Sequence, residues 1–127
     1  MSAANNLQVQ TLFIKSAEDE ETLAFAVPDS VFEFHTQQAI EKLLKALIAA
    51  HGEEFPFTHN LQLLMDQLTL LGETLPTFSR PLFSFTKFGV TIRYDLGVPL
   101  TAAERQEFRE VVAAVRAVVR ARVDSLP

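Results

Sequence analysis

Apolar residues return every three or four positions along most of this chain, which is the period of an α-helix with one buried face. The pattern predicts five helical segments joined by short connectors. The first covers residues 8–27, with Leu12, Phe13, Ala17, Ala24 and Val27 on an apolar side and Glu18, Asp19, Glu20 and Glu21 on a solvated one. Pro28 ends it, because proline lacks the backbone donor and clashes with the preceding turn. Ser30 and Glu33 have capping-box spacing, with Asp29 as a competing cap, and open a second helix that runs to about Ala50. Its apolar set is Phe32, Ala39, Leu43, Ala46, Leu47 and Ala50, widened by Phe34, Ile40, Leu44 and Ile48. So broad an arc predicts a central helix.

Gly52 supplies an exit, and Phe55-Pro56-Phe57 reads as an apolar joint folded back over the bundle end. The third helix follows Thr58 and aligns Leu61, Leu64, Met65, Leu68 and Leu71 before Gly72. Between Pro76 and Pro99, Phe78, Leu82, Phe83, Phe85, Phe88 and Ile92 suit a helix or a strand. Ser79 as cap and Pro81 in the first turn favour helix, as does the lack of any partner for an isolated strand. Thr101 and Glu104 form a second capping box, from which Phe108, Val111, Val112, Val115, Val118 and Val119 trace a last helix to about residue 124. The expectation is one all-α domain over residues 1–127, an antiparallel up-and-down bundle of four main helices plus a shorter fifth.

Composition narrows the function classes. At 127 residues the chain has the usual size of one domain. It has no apolar run long enough to span a bilayer and no basic-then-apolar leader at its N-terminus. The absence of cysteine excludes disulfides, thiolate metal sites and cysteine catalysis, and fits a cytoplasmic location. Net charge is −5, split as −7 over residues 1–80 and +2 over residues 81–127, so any nucleic-acid footprint belongs to the second half.

The chemistry-bearing residues concentrate in the second helix, where Gln37, Gln38, Glu41, Lys42 and Lys45 interrupt an apolar sequence. One reading makes Glu41 and Lys45 an ordinary i,i+4 pair with the glutamines in water. The other sets Gln38 and Lys42 at the edge of a helix–helix or subunit interface, satisfied by neighbouring backbone or carboxylates. His59, placed just inside the third helix, either binds backbone at the helix start, touches the second helix, or contacts a ligand. His35 reads as a packing or surface histidine, and His51 as a helix C-terminal cap favoured by the dipole. No His-Glu-x-x-His string exists, and no metal or cofactor is implied. Arg93-Tyr94-Asp95 marks a turn or, alternatively, a phosphate or nucleotide contact. Arg105, Arg109, Arg116 and Arg120 fall within about 60° on a helical wheel. Interleaved with Glu104, Glu107 and Glu110, that stripe reads as a solvated face or a site for an acidic protein rather than nucleic acid. Glycine-rich phosphate loops are absent, and Ser30, Ser79 and Ser84 lack a hydrolase context.

The stretch Phe34-His35-Thr36-Gln37-Gln38-Ala39-Ile40-Glu41-Lys42-Leu43-Leu44-Lys45-Ala46-Leu47, followed by Thr58-His59-Asn60-Leu61, resembles the HEPN family, the higher eukaryote and prokaryote nucleotide-binding domains. The resemblance extends over about residues 10–124, taking in Arg93-Tyr94 and the long last helix. It implies a dimeric helical bundle of the type encoded beside a minimal nucleotidyltransferase, with which it forms a toxin–antitoxin or related pair. Many members are metal-independent ribonucleases that use an arginine followed, after four to six residues, by a histidine. A histidine there moves a proton at the 2′-hydroxyl while arginine neutralises the scissile phosphate. Here His35, His51 and His59 all precede the first arginine, Arg80, so no such pair exists at any spacing. The resemblance therefore implies fold and partner; Gln38, Lys42, His59, Arg93 and Tyr94 are the candidate ligand- or partner-binding positions. A ribonuclease built on His59 or His35 with Arg93, and a nucleotide-binding module near Arg93, Tyr94 and Lys42, are the alternatives.

Overall fold

The computed structural model describes residues 2–89 and 98–127. Its architecture is an all-α antiparallel bundle: α1 (Leu7–Thr22), α2 (Asp29–Ala50), α3 (Leu61–Leu70) and α4 (Ala102–Ser125), with a 3-10 helix at Leu82–Gly89 and a 3-10 turn at Ala3–Asn5. Helix α2 is central, packing against α1, α3, α4 and the 3-10 helix. Its Ala39, Ile40, Leu43, Leu44, Leu47 and Ile48 are buried together with Leu61, Leu64 and Leu68 of α3 and Val111, Val112, Val115 and Val119 of α4. Burying an aliphatic side chain of this kind stabilises by about 1.5–3 kcal/mol, which offsets the low intrinsic helicity of the valine-rich α4. Phe32, Phe85, Phe88 and Phe108 pack ring against ring and tie α2, the 3-10 helix and α4 together.

Helix ends follow local side-chain chemistry, and several differ from the sequence expectation. The Thr101–Glu104 capping box forms in full. The Ser30–Glu33 box does not: Pro28 occupies the cap position without a side-chain bond, and Asp29 instead accepts from the Leu100 amide and from Arg105. Helix α1 stops at Thr22 rather than at residue 27, five residues short of the expected end. Helix α3 starts at Leu61, because the Asn60 carboxamide caps the Gln62 and Leu63 amides; His59 therefore lies before the helix, not within it.

Leu82–Gly89 is a 3-10 helix, not the Ser79-capped α-helix expected. Leu82, Phe85 and Phe88 recur at a spacing of three, which keeps them on one side of a helix with three residues per turn. Of the expected apolar joint, Phe55 packs against the core whereas Phe57 is fully exposed. Gly52 and Gly72 leave α2 and α3 with φ of 78° and 90°, a left-handed conformation that costs glycine no steric penalty. Among the described residues, no helix is long and apolar enough to cross a membrane.

Candidate functional site

The polar run of α2 lies largely inside the bundle. Gln37 is fully buried, and Glu41 nearly so, which overturns the reading of the glutamines as facing water. The Gln37 carboxamide donates to Glu41 Oε1 at 3.0 Å and to the His59 carbonyl at 3.0 Å, and its oxygen accepts from Gln38 Nε2 at 2.7 Å. Glu41 also binds His59 Nδ1 at 2.8 Å through Oε1 and accepts from Lys45 Nζ at 3.0 Å through Oε2. Burial pushes the Glu41 carboxyl up, but the donors Gln37, His59 and Lys45 outweigh it and hold its pKa below the ordinary 4.5. The backbone of Gly89 closes the cluster: a Cβ there would lie 2.5 Å from the end of the Gln37 side chain, so any larger residue requires the Gln37 carboxamide to shift from its partners.

A second cluster joins α2 to α1. Asp19, assigned by the sequence pattern to a solvated side, is buried. Its carboxylate binds His35 Nδ1 at 2.7 Å and Lys42 Nζ at 2.5 Å. Alongside it, buried Ser16 donates to the Ala39 carbonyl at 2.8 Å. A third cluster ties the bundle end: Glu73 takes both Arg122 Nε, at 2.7 Å, and His51 Nε2, at 2.8 Å. The Arg122 guanidinium, ahead of burial and His51, sets the direction in which the Glu73 carboxyl moves, below 4.5. All three histidines thus sit against a buried carboxylate that already carries a lysine or arginine. His51 is more than a helix cap.

The arginine stripe of α4 is not a free solvated face. Arg116 donates to Glu20 at 2.5 Å and to Ser16 at 3.0 Å, Arg109 to the Leu23 carbonyl at 3.0 Å, and Arg105 to the Val27 carbonyl at 2.7 Å. Arg120 lies 3.8 Å from the centroid of the Phe13 ring. The stripe therefore seals α4 to α1 and to the carbonyls released where α1 ends early. What the sequence reading missed was this early end, which creates acceptors for the arginines to fill.

Of the sequence-predicted positions, the structure brings Gln38 and His59 to the Glu41 cluster and His35 and Lys42 to Asp19. Arg93 and Tyr94 lie outside the described residues. His59 is half-exposed, at 49% of its side-chain surface, with one ring nitrogen held by Glu41. Phe34, expected in the buried arc, is 42% exposed and stacks edge-on with His35. With Val31, Gln38 and Lys42 it marks the outward edge of α2, at helical spacing. Among the described residues, no group of three or more histidines and carboxylates is arranged to hold a metal ion.

The family model described as the HEPN domain matches residues 14–126. None of the curated proteins and none of the solved structures matches the chain.

Proposed function

The chain belongs to the HEPN domain family, and from that premise we propose that it is a non-catalytic, dimerising and partner-binding protein of the cytoplasm, whose partner is a minimal nucleotidyltransferase. The observation that carries this reading is the division of labour on α2. Its polar side chains are spent on intramolecular pairs, whereas Val31 and Phe34 remain exposed on its outward edge. Family membership supports a nucleotide- or RNA-related setting, and the missing arginine-then-histidine pair argues against nuclease chemistry.

The test is the mass of the purified chain by light scattering, alone and mixed with the product of the neighbouring gene. A dimer that forms a defined complex, weakened by Phe34→Asp without loss of fold, is the expected result. A stable monomer that engages nothing would refute it.

A second reading has one observation in its favour. The His59 ring is half-exposed and oriented by a buried carboxylate, the arrangement by which enzymes fix an imidazole for proton transfer. On this reading His59 serves a metal-independent ribonuclease, and the wild-type chain cleaves RNA with all metal chelated.

A further inference from the structure

Where α1 ends early, Ala24, Phe25, Ala26 and Val27 form one wall of an open cleft of about 370 Å³ whose other wall is Arg105 and Arg109. Phe25 is 63% exposed at this cleft. The two guanidiniums lie 4.6 and 5.7 Å from the centroid of the buried Phe32 ring, which holds both beside one another. Arg105 spends Nη2 on the Val27 carbonyl and on Asp29; Arg109 spends Nε on Gln106 and Nη1 on the Leu23 carbonyl. Among the described residues, Arg109 Nη2 and Arg105 Nε and Nη1 meet no acceptor, so the cleft carries unspent planar donors beside an apolar wall.

We infer that this cleft binds a short acidic peptide segment, one carboxylate meeting the Arg105–Arg109 pair and a neighbouring apolar side chain packing on Phe25. Guanidinium forks match carboxylate geometry, and Arg105 meets Asp29 through Nη2 alone, at 2.6 Å, which leaves the other edge of its fork for a second carboxylate. An exposed phenylalanine beside two arginines suits a ligand that is anionic and apolar at once. A bare inorganic anion would leave the apolar wall unused. The site uses none of the α2 edge residues and stands whether or not that edge binds a partner.

The experiment is fluorescence anisotropy of the full chain with a labelled six-residue peptide of alternating glutamate and phenylalanine. The same peptide with lysine for glutamate, and inorganic phosphate as competitor, serve as controls. The glutamate peptide is expected to bind, with affinity falling as salt rises. Arg109→Gln, which retains a donor for the Leu23 carbonyl, should weaken it about tenfold. Phe25→Ser, at an exposed position, should weaken it severalfold, with thermal unfolding of both variants close to wild type. Failure of the glutamate peptide to bind, equal binding by both variants, or full displacement by millimolar phosphate at constant ionic strength would overturn the assignment. Should Arg109→Gln unfold, Phe25→Ser decides alone.

Discussion

The Glu41 cluster and the arginine stripe of α4 are built from the same kinds of group, yet they stand at opposite ends of burial. Glu41 is nearly inaccessible and receives Gln37, His59 and Lys45. Arg116 and Glu20 are each roughly a quarter to a third exposed and share their pair with water. Depth decides what each is worth. Removing one partner from a buried charged cluster leaves the others unsatisfied, while a partly exposed pair contributes little beyond holding two helices in register.

Glu41→Ala should cause the largest loss, about 3–5 kcal/mol in urea unfolding; a loss below ~1 kcal/mol would rank the cluster with a surface pair. Gly89→Ala comes next, at about 1–3 kcal/mol, because its methyl group meets the buried Gln37 side chain. An unchanged midpoint would mean that the 3-10 helix shifts freely away from α2.

Acid should separate the two regions further. Glu41 and Glu73 have folded pKa values below the ordinary 4.5, so the unfolded chain takes up protons first as pH falls. Their contribution is complete above about pH 4.5 and is lost as pH drops through the folded values. Urea midpoints measured from pH 7 to pH 3 should fall steeply below 4.5, and Glu41→Gln should flatten the slope. A slope unchanged by that substitution would remove Glu41 from the acid response. The smallest effect belongs to Arg116→Ala, about 0.5–1 kcal/mol, and a loss comparable to that of Glu41→Ala would erase the contrast.

Helical period alone made the bundle legible, with α2 at its centre and the Thr101–Glu104 box at the start of α4. Local spacing also contained the 3-10 helix, in the three-residue recurrence of Leu82, Phe85 and Phe88, although Ser79 and Pro81 suggested an ordinary cap. Burial of Asp19 and Gln37 was not legible, since it depends on groups distant in the chain: Lys42 and His35 for the first, the His59 carbonyl and the Gly89 backbone for the second. The arginine stripe was visible on the wheel, but its role was not, because its acceptors are distant in the chain: Ser16 and Glu20 of α1 for Arg116, and the Leu23 and Val27 carbonyls past the early end of α1 for Arg109 and Arg105. Of the candidate site, the residue types and their helix could be read from sequence; the internal direction of their hydrogen bonds could not.

On the proposed function, His59 is committed to Glu41 as part of the scaffold rather than poised for chemistry. Incubation of single-stranded and hairpin RNA with the purified wild-type chain in excess EDTA tests it most directly. RNA as intact as with His59→Ala is the expected result. Cleavage by wild type that disappears in His59→Ala, with the variant still folded, would contradict it.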